Sequence, residues 1–273
     1  MVRMEKDASS GSGLGQQAVR LAGLLVFFAL GYSFWRNEHW LTLCAGLALF
    51  LFGMQCLEEG LRNLAGSALE RMLARGTSTS WKSLLVGLVG ATTMQSSTLV
   101  SLMTIAFITT GLIVLPAGIA IIFGANLGSA TGIWLLALAG QNFSLSAFAL
   151  PLLVFGVLAS FLGPKMKAFG RILLGIAFIF LGIEQIKEGF SVVTGNLNLA
   201  QYNVDGWLGR LIFAAVGLVL TLLLQSTHAT LMLALTALGL GQVGLWQAAA
   251  IAIGANVGSS VTTGIAGALG GNR

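Results

Sequence analysis

The sequence predicts an all-α integral membrane protein built from two inverted-topology repeats. Each repeat is expected to hold a re-entrant helical hairpin and a discontinuous transmembrane helix. Three observations lead there. First, 56% of the 273 residues are hydrophobic and only 8% are charged, with a mean hydropathy of +0.90. Soluble domains carry about 25% charged residues, so this chain cannot cover a soluble surface and must face lipid. Second, polar motifs interrupt the apolar sequence in pairs. Gln95-Ser96-Ser97-Thr98 is echoed by Gln225-Ser226-Thr227, and Gly124-Ala125-Asn126-Leu127-Gly128-Ser129 by Gly254-Ala255-Asn256-Val257-Gly258-Ser259-Ser260. Positions 95 and 225, like 124 and 254, differ by 130. Third, the net charge of +5 comes from cations in short loops between apolar runs. That is the positive-inside pattern rather than a nucleic-acid patch.

Taken in order, residues 1–16 hold charges followed by Ala8-Ser9-Ser10-Gly11-Ser12-Gly13 and read as a flexible tail. Residues 17–36 form an anchor helix: Leu21 to Trp35 is apolar between Arg20 and Arg36. A cleaved signal peptide fits less well, since no small-residue cleavage site follows. Repeat 1 occupies 40–163. Trp40 to Leu57 spans, and 58–82 reads as an amphipathic interfacial or solvated helix, with Leu61, Leu64, Leu69 and Leu73 at near-helical spacing. Ser83 to Val114 is too long for one span and too short for two, with a polar break at its middle. Two half-helices meeting at that break would form a re-entrant hairpin, tolerated only where protein or a water-filled cavity surrounds it. Pro116 opens the next helix, and Gly124 to Gly128 is expected to interrupt it. Ala147 to Leu162 spans again.

Repeat 2 occupies 172–273. Ile172 to Ile186 spans, and Phe52-Gly53 through Glu59-Gly60 parallels Leu181-Gly182 through Glu188-Gly189 at an offset of 129. Residues 191–206 read as a polar loop with Asn196, Asn198, Asn203 and Asp205. Trp207 to Leu240 is the second hairpin, and Trp246 to Leu269 the second interrupted helix. The counterpart of 147–162 would fall beyond Arg273, so the chain is expected to be C-terminally truncated. With the N-terminus cytoplasmic, eleven of the 14 Lys and Arg fall inside, and Arg36, Lys187 and Arg210 outside. The same assignment brings the two hairpins in from opposite sides, as inverted repeats require. Location is then the cell (inner) membrane, multi-pass.

The chemistry follows from the breaks. Half-helix N-termini carry unpaired N–H groups and a positive dipole, which suit an anion. C-terminal carbonyls suit a small hard cation. Ser96, Ser97, Thr98, Ser226 and Thr227 add hydroxyls. Gln95, Gln225, Asn126 and Asn256 fix the unwound backbone or coordinate directly. Ser129, Ser259 and Ser260 complete the set, and Gly124, Gly128, Gly254 and Gly258 permit the unwinding. Sodium ligands are expected among Gln95, Ser96, Ser97, Gln225, Ser226 and Thr227. No Lys, Arg, Asp or Glu is near any motif in sequence, so an anion and sodium are expected to neutralise each other, which predicts obligatory coupling.

Other groups point elsewhere with less force. One Ser/Thr/Gln cluster would read as glue between helices, whereas four in two pairs read as a site. His228 reads first as a hydrogen-bonded packing residue and second as a proton relay. Glu184 reads equally as functional or as solvated or paired near the outer end of its helix. Cys44 and Cys56 sit about 18 Å apart along one helix, too far for a disulfide. No nucleophile–base set appears, and His39 and His228 are the only histidines, so an enzyme, and a zinc enzyme in particular, is not expected.

The four motifs together resemble the type II sodium–phosphate cotransporter family and its bacterial relatives, over roughly residues 45–270. The resemblance implies sodium-coupled import of inorganic phosphate, with the Gln-Ser-Ser hairpins forming substrate and sodium sites and no further cofactor. It departs at Thr227-His228, where the family tends to further serines, which leaves sodium stoichiometry and the choice of anion open. Bacterial members often carry a PhoU-like helical domain after the membrane part, which makes such a domain or protein a candidate partner. A homo-oligomer is compatible with the sequence, and a nucleic-acid partner is not expected. Two alternatives remain beside import: a membrane-embedded, phosphate-binding regulatory subunit, and an exporter or uniporter of phosphate or another oxyanion.

Overall fold

In a computed structural model of the chain, residues 23–75, 79–142, 145–195 and 206–270 are described. The expected tail and most of the polar loop at 191–206 lie outside these residues. The described residues form ten α-helices and no strand: α1 (Gly23–Arg36), α2 (Glu38–Arg75), α3 (Ser80–Met94), α4 (Ser97–Thr109), α5 (Leu115–Asn142), α6 (Leu145–Ser160), α7 (Pro164–Gly195), α8 (Trp207–Leu224), α9 (Thr227–Gly239) and α10 (Leu245–Gly270). Five of them, α2, α5, α7, α8 and α10, are long and apolar enough to cross a membrane. Their outward faces are greasy: Phe123, Trp134, Ile212 and Leu223 are all exposed, as lipid contact requires.

The helices run longer than the sequence suggests. α2 is one unbroken helix of 38 residues, not a span to Leu57 followed by a separate interfacial helix. Residues 58–75 contain no proline and are rich in Leu, Ala, Glu and Arg, all good helix formers, so nothing stops propagation. Leu69 and Leu73 on this extension pack with Met94 and Val100 at the α3–α4 junction. α7 likewise extends past Ile172 to Ile186 at both ends, taking up residues expected in loops. Pro164 sits at its first position, where the missing N–H costs nothing.

α2 and α7 make the most extensive contact in the molecule, and glycine makes it close. Gly46, Gly53 and Gly60 recur every seventh residue, as do Gly175, Gly182 and Gly189. A Cβ on Gly53 would lie 2.7 Å from the Gly175 carbonyl oxygen, and one on Gly182 would lie 2.8 Å from that of Gly46. The helices are therefore antiparallel with backbones in contact. Adding 129 to one partner and subtracting it from the other turns the 46–182 contact into the 175–53 contact. The contact thus maps onto itself under the sequence offset. At its far end Arg171 pairs with Glu59 at 2.8 Å. Both side chains are substantially exposed, so the pair adds little.

The expectation of interrupted helices at the Gly-Ala-Asn motifs is overturned. α5 runs continuously through Gly124 and Gly128, and α10 through Gly254 and Gly258. These glycines do not unwind the backbone. They let α5 lie against α3 and α10 against α8. A Cβ on Gly124 would collide with the Leu84 carbonyl oxygen, and one on Gly254 with that of Ala214. Leu84 and Ala214 are themselves 130 residues apart, so the same contact is built twice.

Gly254→Ala should lower stability by about 1–3 kcal/mol through overpacking, read as a lower thermal-unfolding midpoint in detergent. Gly264, on the same helix with nothing within 4 Å of its virtual Cβ, should tolerate alanine or gain up to about 1 kcal/mol. Equal midpoints for the two variants would refute the close α8–α10 contact.

Candidate functional site

The two polar breaks are built alike. Gln95 ends α3 in the left-handed region at φ 53° and ψ 25°. Gln225 ends α8 at φ 52° and ψ 26°. They are the only non-glycine residues with positive φ among the described residues. That conformation costs an ordinary residue about 1–2 kcal/mol, and glycine normally fills it. Glutamine offsets the cost with its amide: Gln95 Nε2 donates to the Thr92 carbonyl and Gln225 Nε2 to the Leu222 carbonyl, each at 2.6 Å. Each thereby satisfies a carbonyl that the helix end leaves without a partner.

The next residue starts the following helix. Ser96 Oγ accepts from the Leu99 N–H and Ser226 Oγ from the Ala229 N–H, both at 3.2 Å. These are N-caps. Because each serine oxygen accepts, each hydroxyl keeps its hydrogen to donate elsewhere. Ser97, Thr98 and Thr227 spend their hydroxyls on no partner among the described residues. α4 and α9 thus present N-terminal N–H groups and uncommitted hydroxyls together.

Both N-termini open on one cavity of about 410 Å³, whose lining includes Gln95 to Leu99 and Gln225 to His228. α5 contributes Ser129, and α10 contributes Asn256, Ser259 and Thr262. Ser129 and Ser259 donate their hydroxyl hydrogens back to the Asn126 and Asn256 carbonyls at 3.0 Å. Their oxygens therefore offer lone pairs, as a cation needs. Donors from the helix starts and acceptors from α5 and α10 share the same space.

Of the residues expected from sequence, Gln95, Ser96, Ser97, Thr98, Ser129, Gln225, Ser226, Thr227, Asn256 and Ser259 come together at this cavity. Asn126 and Ser260 are not among its lining residues, and the four motif glycines pack helices instead. Glu184 is exposed on α7 and lies outside the lining. The expectation of a site without acidic residues is overturned: Glu58, together with Gln55, lines the cavity from α2. Linear distance hid them, since Glu58 lies 37 positions before Gln95. The legible signal was two polar groups three residues apart, on one face of an apolar helix. Among the described lining residues Glu58 is the only acid, and none is Lys or Arg.

His228 is a second asymmetry. Its Nε2 lies 3.3 Å from the Ser129 carbonyl oxygen, joining α9 to α5. A carbonyl only accepts, so Nε2 carries the hydrogen. A Cβ at Gly132 would be 3.2 Å from that nitrogen and would collide with Gln95 Oε1. At the offset positions the chain has Thr98 for His228 and Thr262 for Gly132. A large and a small residue where α9 meets α5 thus stand at the positions that α4 and α10 fill with two medium ones.

A family model described as Na+/Pi-cotransporter matches residues 49–188, from α2 through most of α7. The chain belongs to the Na+/Pi-cotransporter family. With its five long apolar helices, this family member is a multi-pass membrane protein. Among similar proteins, "Uncharacterized protein YqeW" of Bacillus subtilis (strain 168) is 28% identical over 240 residues, 85% of this chain and 74% of the relative. "Putative inorganic phosphate export protein YjbB" is 26% identical in Escherichia coli O157:H7 and 27% in Salmonella typhimurium, over 225 residues. Those matches cover 81% of this chain but 40% of the relatives, so the chain spans about two fifths of their length. No solved structure matches the chain significantly. The second Gln-Ser-Thr break lies beyond the residues matched by the family model, so its likeness to the first rests on this chain's own geometry.

The glutamine caps can be tested directly. Gln95→Gly should change stability by less than about 1 kcal/mol, because glycine adopts the left-handed conformation freely. Gln95→Val should cost about 2 kcal/mol or more, losing the amide bond and straining the backbone. Thermal unfolding of the two variants in parallel checks this, and a valine variant as stable as the glycine variant would contradict the geometry.

Proposed function

We propose that the chain is a secondary transporter that moves inorganic phosphate across the cell (inner) membrane coupled to sodium, the two ions meeting in the cavity between the helix breaks. One observation carries the reading: two helix N-termini with uncommitted hydroxyls converge on a cavity that has no Lys or Arg among its described lining residues. Backbone N–H groups at helix starts favour an anion. The lone pairs of Ser129 and Ser259 and the carboxylate of Glu58 favour a cation beside it. With Glu58 present, a bound phosphate without sodium would face a net negative site, which makes coupling more stringent than mutual neutralisation alone.

The remaining details follow the same logic. α3 and α4 are 15 and 13 residues long. Either helix alone is shorter than a hydrocarbon core of about 30 Å requires. We read α3–α4 on this length, and α8–α9 on its matching caps although the 18-residue α8 is long enough to span by itself, as re-entrant hairpins, and the two halves as inverted repeats. The self-mapping α2–α7 contact and the paired caps support this. Alternating access would then rock one half against the other about the shared site. The 11-to-3 cation bias supports a cytoplasmic N-terminus.

An inward sodium gradient would drive import. The printed name of the Escherichia coli and Salmonella relatives favours export as a second reading, with the same cavity and the opposite net direction. Radiolabelled phosphate uptake into proteoliposomes separates these. Import coupled to sodium predicts accumulation under an inward sodium gradient and its loss when choline replaces sodium. Ser97→Ala, which removes an uncommitted hydroxyl, should reduce initial uptake about tenfold. Equal flux with choline would overturn sodium coupling, and no flux under any gradient would favour a phosphate-binding subunit that does not transport.

A further inference from the structure

The cavity holds more than an anion's donors. It also holds two hydrogen-bond acceptors that an anion would ordinarily avoid. Glu58 lines it from α2 and has neither an ion pair nor a hydrogen bond among the described residues. His228 lines it from α9 with Nε2–H committed to the Ser129 carbonyl. In the neutral ring that tautomer leaves a lone pair on Nδ1, which has no partner among the described residues. Both acceptors break the likeness of the halves. Lys187 stands at the offset position of Glu58, and Thr98 at that of His228. The imidazole fits because residue 132 is glycine, where its counterpart is Thr262.

We propose that Glu58 and His228 are the specificity-determining residues of the cavity, accepting the hydroxyl hydrogen of a protonated tetrahedral oxyanion. The unprotonated oxygens of the anion face the Ser96, Ser97, Thr98, Ser226 and Thr227 donors. The protonated oxygens face the acceptors. Phosphate and arsenate keep one or two hydroxyls at neutral pH, so the dihydrogen form donates to both acceptors and the monohydrogen form to one of them. Sulfate has the same shape and no hydroxyl, so its oxygen meets a carboxylate lone pair with no hydrogen between them. Sites that hydrogen-bond a substrate hydroxyl reject analogues lacking it strongly, because their buried polar groups are left unpaired. With sodium beside Glu58, rejection here rests on the acceptors that sulfate leaves without a hydrogen. This inference rests on the phosphate reading and adds how phosphate is told from sulfate.

The test is equilibrium binding of radiolabelled phosphate to the purified chain in detergent with sodium, competed by arsenate or sulfate. For the wild type, arsenate should displace phosphate at comparable concentration, and sulfate should need at least about a hundredfold more. In Glu58→Gln the amide can donate to sulfate, so this discrimination should fall about tenfold or more. His228→Gln should lower it in the same direction. Sulfate competing as well as arsenate against the wild type would overturn the proposal, and that arm needs no variant. Unchanged discrimination in both variants, with phosphate still bound, would overturn it while leaving the phosphate reading intact. A wild type that neither binds nor moves phosphate would overturn both.

Discussion

A helix interrupted within a membrane protein must satisfy the backbone groups it frees, because lipid offers no water to do so. That constraint is met at Gln95-Ser96 and Gln225-Ser226, and the cavity they line follows from how it is met. The glutamine closes the C-terminus of one helix and the serine opens the N-terminus of the next. Each does so with one side-chain hydrogen bond to backbone three residues away. Once the ends are satisfied this way, the hydroxyls of Ser97, Thr98 and Thr227 are left without a partner among the described residues. The polar motif is therefore first a structural repair, and the uncommitted hydroxyls on which the proposed site rests are what the repair leaves over.

Glycine supplies the second constraint. The breaks are useful only if the helices around them hold still, and here they are held by backbone contact. α2 meets α7, α3 meets α5 and α8 meets α10 at glycines whose virtual Cβ atoms would strike a neighbouring backbone. Without a hydrophobic drive between helices in lipid, close packing of this kind is the main source of association. α5 and α10 run unbroken through these contacts and carry Ser129, Asn256 and Ser259 to the cavity.

Much of this was legible in the sequence, and the failures have physical causes. The breaks at Gln95 and Gln225 were visible because polar residues stand out in apolar runs. Pairing at offsets of 129 and 130 marks the equivalent positions from sequence alone. The Gly-Ala-Asn motifs misled because glycine serves two purposes, unwinding and close approach, and composition alone does not separate them. Only the Leu84 and Ala214 carbonyls opposite Gly124 and Gly254 decide the matter. Glu58 was missed because it reaches the cavity through the α2 packing rather than through sequence proximity. The exchange of His228 and Gly132 for Thr98 and Thr262 involves residues in contact across α9 and α5, which no single segment reveals.

The proposed ion site lies where the starts of α4 and α9 converge, between the continuous α5 and α10 helices. Anomalous scattering from arsenate bound to crystals grown with sodium would locate it. The expected result is one arsenic peak within hydrogen-bonding reach of Ser96 to Thr98 and of Ser226 to Thr227, with α5 helical through Gly124 and Gly128. A peak at only one break, or elsewhere with this cavity empty, would contradict it.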